Sequence, residues 1–108
     1  ELARVKAIVA RAYPITREID LGRYARGWEL ATTGTGDPCV IYLRTSDPND
    51  AGYGLDTQLE GCIAAARERG FRPIAVFLDM KTGTVYRERP GLSESRARVR
   101  DGSATVLM

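Results

Sequence analysis

The sequence predicts an α/β fold with a mostly parallel central sheet and three layers, helices lying on both faces. From Cys39 onward, short apolar runs rich in β-branched residues alternate with helical patterns, in the order strand, helix, strand, helix, strand. This alternation implies right-handed crossovers, and such crossovers join parallel strands. The part of the chain before Cys39 follows a different pattern, so we expect it to precede this core as a partly helical extension.

Each element of the core has its own evidence. Apolar runs at residues 39–43, 73–79 and 104–108 are typical of buried strands. A helix is predicted over residues 55–69, since five apolar or small side chains share one face: Leu55, Leu59, Cys62, Ile63 and Ala66. Pro90 fits the first turn of a second helix, which runs to about Arg100.

The first 37 residues are predicted to be an N-terminal extension or linker. Residues 1–13 have the apolar period of a helix, which Pro14 would end. Residues 15–30 could form a second short helix, although two glycines within them weaken that prediction. Residues 31–38 have the composition of a linker, so we expect a boundary near residue 37 and a domain over residues 38–108.

Composition limits the classes of protein to consider. The chain of 108 residues is 44% hydrophobic and 28% charged, which is ordinary for one globular domain. No apolar run approaches the roughly 20 residues of a membrane span, so a membrane partner is not expected. The net charge is only +2, but residues 67–101 are basic and residues 40–66 are acidic. A basic half suits a phosphate-bearing partner, and a solvated helix face explains it equally well.

The two cysteines and the absence of histidine limit the chemistry. Cys39 and Cys62 lie among apolar residues, which predicts reduced, buried thiols and a cytoplasmic protein. Without histidine the chain lacks the usual general base and the commonest metal ligand. Any nucleophile must therefore be activated by other groups.

The most informative stretch is VIYLRTSDPNDAGYGLDTQL at residues 40–59. It brings a hydroxyl nucleophile, Ser46, close to Arg44 at the carboxyl end of a predicted strand, where open α/β sheets bind ligands. Gln58 falls in the first turn of the next helix, whose amino end favours anions. On these residues alone, an ordinary turn serine is the favoured explanation of Ser46, because Ser-Asp-Pro-Asn is a common turn sequence.

Further motifs follow this stretch in order. They are Tyr-x-Arg-x-Ser at 42–46, Gly-Tyr-x-Leu-x-x-Gln-Leu-x-x-Cys at 52–62, Arg-Gly-Phe at 69–71, Phe-Leu-Asp at 77–79 and Arg-Pro-Gly-Leu at 89–92. The set resembles the catalytic domain of the resolvase/invertase family of serine recombinases, over about residues 39–108. The closer likeness is to large serine recombinases and transposon-type relatives, which have longer loops.

The resemblance implies a role for each matched residue. Ser46 matches the serine that attacks a DNA phosphodiester and becomes linked to the 5′ phosphate. Arg44 matches the arginine at the scissile phosphate, and Arg89 another arginine of the active site. Gln58 and Asp79 match supporting residues near that phosphate. DNA is then the partner, no metal or other cofactor is required, and the full-length protein is expected to act as a homodimer or tetramer.

Each matched residue also has a structural interpretation. Tyr42 occupies an inward strand position and is expected to pack or support rather than to catalyse. Asp79 could cap a loop, and Arg89 could pair with a nearby glutamate. Arg44 and Gln58 could be ordinary exposed side chains.

The chain also departs from the family pattern. The family's Asp-Arg-Leu-x-Arg segment follows the third strand, whereas this sequence stops inside that strand at Val106-Leu107-Met108. We therefore expect a truncated catalytic core that cannot recombine DNA by itself. A non-catalytic module that binds DNA or assembles partners is the alternative. A nucleotide-binding domain ranks lower, because the Gly-rich TTGTGDP precedes the first predicted strand whereas a phosphate loop follows one.

Overall fold

The computed structural model describes residues 2–45, 53–80 and 89–108, which form a five-stranded sheet with helices against both faces. The elements in chain order are α1 (Leu2–Ala12), β1 (Ile15–Asp20), β2 (Ala25–Leu30), β3 (Pro38–Thr45), α2 (Tyr53–Arg69), β4 (Arg72–Met80), α3 (Pro90–Arg100) and β5 (Val106–Leu107). The strand order is β1-β2-β4-β3-β5. The α/β class and the predicted core elements from Cys39 onward are confirmed.

The sheet is mixed, so the prediction of a mostly parallel sheet is not confirmed. Strand β3 runs parallel to both β4 and β5, as the crossover argument requires. Strand β2 is antiparallel to β4 on one side and to β1 on the other. The antiparallel half of the sheet therefore comes entirely from the first 30 residues.

The prediction of a short second helix over residues 15–30 is wrong, because these residues form the β1–β2 hairpin. The two glycines that weaken a helix both suit the hairpin. Gly22 lies in the turn with a φ of +113°, which disfavours residues with a side chain. At Gly27 a Cβ atom would lie 2.5 Å from the Phe77 ring, so only glycine lets the two strands pack there. The division at residue 37 stays a prediction about domain organisation.

One face of the sheet is covered by α1 and α2 and is almost wholly apolar. Leu59 of α2 and Val9 of α1 are completely buried between these helices and the strands. The rest of this cluster consists of Val5, Trp28, Leu30, Ile41, Leu43, Leu55, Ile63, Val76 and Leu78. Burying a side chain of this kind contributes about 1.5–3 kcal/mol, so this face contributes more hydrophobic stabilisation than the other.

The other face is covered by α3 and has a smaller apolar cluster, made of Val40, Ala75, Phe77 and Ala104. Side chains alternate along a strand, so Tyr42 and Arg44 leave β3 on this face together with Val40. Asp79 leaves β4 on the same face, two residues beyond Phe77. Arg44 and Asp79 are directly paired in the parallel register of β3 and β4. Three of the predicted site residues, Tyr42, Arg44 and Asp79, therefore lie on the same face of the sheet, at the carboxyl ends of β3 and β4.

Candidate active site

Asp79 is the centre of the polar group at the carboxyl ends of β3 and β4. Its side chain is only 6% exposed, although it is a carboxylate. It accepts a hydrogen bond from the Tyr42 hydroxyl at 2.7 Å and two from the backbone N–H groups of Gly91 and Leu92, at 2.7 and 3.0 Å. Three donors compensate for the loss of water around this buried group.

The two backbone donors lie in the first turn of α3. Asp79, which belongs to β4, therefore acts as the N-terminal cap of this helix. The residue before the helix, Arg89, makes no capping hydrogen bond with its side chain, and Pro90 occupies the first turn. The free N–H groups of a helix start carry partial positive charge, and a carboxylate there is stabilising. Asp79 thus fixes where α3 begins, and with it the position of Arg89.

Gly91 has no side chain because Asp79 occupies the space. A Cβ atom at this position would lie 2.8 Å from Asp79 Oδ1 and 3.0 Å from its Cγ atom. Real carbon atoms do not approach that closely, so any substitution must push the carboxylate away. The glycine of the Arg-Pro-Gly-Leu motif is therefore explained by close packing at this cap.

The pKa of the Tyr42 hydroxyl depends on its burial and on the charges around it. Burial raises the pKa of Tyr42 well above its ordinary value, and the hydrogen bond to Asp79 and its negative charge raise it further. The guanidinium groups of Arg89 and Arg44 act in the opposite direction and lower that pKa. Tyr42 therefore stays protonated as a donor to Asp79, and both arginines lie near enough to influence its hydroxyl.

Gln58 fixes the end of β3 from the start of α2. Its Nε2 atom donates to the backbone oxygen of Arg44 at 2.9 Å, and its Oε1 atom accepts from the Arg44 N–H at 3.4 Å. Two residues before Arg44, the Tyr42 N–H donates to the backbone oxygen of Met108 at 3.1 Å. The carboxamide thus occupies the place of a neighbouring strand beside Arg44, and it holds the backbone two residues before Ser46.

The structure brings most of the predicted site residues to one edge of the sheet. The residues described there are Tyr42, Arg44, Gln58, Asp79 and Arg89. Ser46 lies outside the described residues. The Gln58 carboxamide bonds the Arg44 backbone, and Asp79 accepts three hydrogen bonds. Among the residues described at this edge, the cations are Arg44, whose side chain is exposed, and the half-buried Arg89.

A second group of contacts, for which the sequence shows no clear signal, holds α3 against the sheet. The Arg98 guanidinium lies 2.8 Å from Glu29 on β2 and 3.5 Å from Glu94 one helical turn earlier. It also lies over the Phe77 ring, 5.6 Å from its centre. Glu29 was missed because its segment does not show a clear strand alternation, and no local pattern links residues 69 positions apart.

Comparison with known proteins identifies the family. The model of the family described as Resolvase, N terminal domain, matches residues 39–108, which is more than half of the chain. The chain belongs to this family of serine recombinase domains. No curated protein and no solved structure matches the chain in the corresponding searches. The family match begins at the start of β3, so the α1 helix and the β1–β2 hairpin precede it.

Two further observations concern other classes of protein. Across residues 2–45, 53–80 and 89–108, none of the helices combines the length and apolar character needed to cross a bilayer. Within the same ranges, no three His, Cys, Asp or Glu side chains are grouped so as to hold a metal ion. The prediction of a reaction without metal stays a prediction.

Proposed function

We propose that the protein is a site-specific DNA recombinase in which Ser46 is the nucleophile. The Ser46 Oγ atom attacks a backbone phosphorus, and the Oγ–P bond forms as the P–O3′ bond breaks. The serine loses its proton and the leaving 3′ oxygen gains one, which yields a 5′-phosphoserine and a free 3′ hydroxyl. After strand exchange, a 3′ hydroxyl attacks the phosphoserine, restores the DNA backbone and releases the serine.

The observation that carries this proposal is the pair of arginines around Asp79 and Tyr42. Phosphoryl transfer places negative charge on the non-bridging oxygens, and fixed guanidinium groups can bind two of them at once. Arg44 is paired with Asp79 in the register of β3 and β4, and Arg89 immediately precedes the helix whose first turn bonds Asp79. Arg44 is also two residues from Ser46, so the nucleophile and one cation are neighbours in sequence.

Asp79 acts in this proposal as a positioning residue and not as the general base. Its two oxygens are already engaged by three donors, and its side chain is almost completely buried. It holds the start of α3, and Arg89 immediately precedes that helix. A misplacement of about 1 Å in such a group can reduce a rate about a hundredfold.

Neighbouring cations also explain how a serine can react in a chain without histidine. A positive charge beside the hydroxyl favours its alkoxide form, which is the reactive nucleophile. Gln58 supports the same end of β3, because its carboxamide accepts from the Arg44 N–H group and donates to the Arg44 carbonyl oxygen. In full length, the protein is proposed to act as a homodimer or tetramer and to resemble the large serine recombinases.

The experiment that tests this function is covalent capture of DNA. The full-length protein is incubated with a pool of nicked DNA duplexes of randomised sequence, and covalent product is measured on denaturing gels and by mass spectrometry. We expect a phosphoserine adduct at Ser46, lost in Ser46→Ala and kept in Ser103→Ala, which removes an exposed hydroxyl beyond α3. An adduct that survives Ser46→Ala would overturn the proposal. DNA binding without any adduct would favour a non-catalytic module.

A further inference from the structure

The outer side of α3 carries a line of basic and polar side chains. Arg89, Ser93, Arg96 and Arg100 recur at intervals of three or four residues, so they lie along one face of the helix. The last three are exposed. At a rise of about 1.5 Å per residue, the line extends about 16 Å from Arg89 to Arg100. We call these four residues the α3 stripe.

The acidic residues of α3 and its end already have partners. Glu94 lies against Arg98, which is itself turned inward to Glu29 on β2 and is only 17% exposed in its side chain. Asp101 accepts a hydrogen bond from the Ser103 N–H at 2.8 Å, and its bonds with Ser103 lower the pKa of Asp101. These contacts pair Arg98 with acids and leave two other arginines facing outward.

Those two arginines are Arg96 and Arg100. Among the ion pairs of the described residues, neither takes part in one. Unpaired guanidinium groups on an exposed helix face meet solvent or an anionic partner. Since the stripe begins at Arg89, beside Asp79, its direction connects the candidate active site with the far end of α3.

We infer that the α3 stripe binds the sugar–phosphate backbone of duplex DNA as it leaves the scissile phosphate. This inference rests on the proposed function and names a contact surface for its substrate. Duplex DNA carries one phosphate per about 3.4 Å of each strand, so about 16 Å passes roughly five phosphates of one strand. Guanidinium groups bind phosphate oxygens bidentately without reading bases, so this contact is independent of sequence.

The test measures the salt dependence of DNA binding. A fluorescein-labelled duplex of mixed sequence is titrated with the full-length protein and with Arg96→Gln/Arg100→Gln at salt concentrations from about 50 to 200 mM. Loss of two phosphate contacts should reduce the slope of log K against log salt by about 1.8. At about 0.1 M salt the double variant should bind at least about tenfold more weakly.

The matched control is Arg11→Gln/Arg67→Gln, which removes the same charge from α1 and α2. These arginines are exposed on the opposite face of the sheet, so the slope should stay at the wild-type value. Equal effects of the two double variants would overturn the inference and indicate a response to net charge alone. Thermal melting of each variant establishes that it is folded.

A gain-of-contact variant makes the test independent of any loss of folding. Ser93→Arg adds a cation to the middle of the α3 stripe and should increase the slope by about 0.9. An unchanged slope contradicts the inference. Failure of the proposed function is distinguishable, because Ser46→Ala should keep the wild-type slope while it loses the covalent product. A covalent product in Ser46→Ala would overturn the function, whatever the slopes of the stripe variants.

Discussion

The two faces of the sheet differ in what they contain. Within residues 2–45, 53–80 and 89–108, the face under α1 and α2 buries eleven apolar side chains in one cluster, whereas the face under α3 buries four. The α3 face instead contains the buried carboxylate of Asp79, the buried hydroxyl of Ser95 and the inward-facing Arg98. The comparison indicates that one face supplies stability, while the other uses hydrogen bonds and charge to position α3.

The division has a physical reason. Burial of apolar surface is non-directional, so it stabilises a fold without fixing any atom closely. Hydrogen bonds to a carboxylate are directional, and those at Asp79 define both the start of α3 and the orientation of Tyr42. The proposed site, in which two arginines would hold one phosphate, depends on the second kind of contact. Its position on the less apolar face agrees with that requirement.

The largest expected difference between the faces is in stability. Leu59→Ala removes a completely buried side chain from the apolar face and should lower the free energy of unfolding by about 2–5 kcal/mol. Ser95→Ala removes a buried hydroxyl that donates to the Gly91 backbone oxygen at 2.7 Å, and should cost only about 1 kcal/mol. Urea unfolding measures both. Equal losses in the free energy of unfolding would contradict the claim that the α1–α2 face contributes more stability than the α3 face.

On the α3 face, Asp79→Asn should be more damaging than Ser95→Ala. The amide keeps the size of the side chain, but it has one acceptor oxygen where the carboxylate uses two for three donors. At least one N–H group at the start of α3 then loses its acceptor. We expect a loss of about 2–3 kcal/mol in the free energy of unfolding, measured by urea titration. Stability equal to wild type would contradict the cap.

The apolar face can also be probed through pH. Burial, followed by the neighbouring thiol of Cys62, raises the pKa of Cys39 from 9.0 to about 11. A raised pKa means that the folded state binds the proton more tightly than the unfolded state. This contribution is complete below pH 9 and is lost as pH rises towards about 11, by about 2 kcal/mol. Cys39→Ala should lack this part of the decline, as chemical unfolding at several pH values would detect.

Tyr42→Phe tests the smaller contribution of the hydroxyl. The substitution leaves Asp79 with its two backbone donors and removes the third hydrogen bond, whose length is 2.7 Å. We expect a loss of about 1.5 kcal/mol in thermal or urea unfolding. Tyr13→Phe, on the α1 side, is the matched control and should change stability less, since no hydrogen bond of the Tyr13 hydroxyl belongs to this network. A reversed order would argue against the role given to Tyr42.

The smallest expected effect is at the contact between Glu29 and Arg98. Both side chains are partly exposed, so the ion pair should contribute only about 0.5–1 kcal/mol. A double-mutant cycle with Glu29→Gln and Arg98→Gln would isolate this coupling energy, which should fall as salt is added. A coupling of zero at low salt would mean that this ion pair does not help to hold α3 against β2.

Much of the fold was predictable because local patterns and tertiary contacts agree in the core. The apolar run of β3 and the helical period of α2 point to the same elements that packing selects. The hairpin was not predictable in this way. Its first strand exposes most of its residues, and Gly27 makes sense only with the Phe77 ring from a distant strand. Such a contact has no local pattern in the sequence.

The candidate site was predictable only as a set of residues, and its contacts were not. Nothing in the sequence distinguishes an aspartate that caps its own loop from one that caps a helix 12 residues later, as Asp79 does. Likewise, the helix pattern puts Gln58 near the strand end but does not reveal its bonds to the Arg44 backbone. These details depend on the register of β3 with β4 and on where α3 begins.

The central claim is that Asp79 positions the reacting groups and does more than stabilise the fold. The most direct measurement is the single-turnover rate of covalent protein–DNA formation in Asp79→Asn and in Ile63→Ala, a buried substitution on the apolar face, at a temperature where both are folded. The account predicts a fall of about a hundredfold in Asp79→Asn and less than about threefold in Ile63→Ala. Equal rates in the two variants would contradict it.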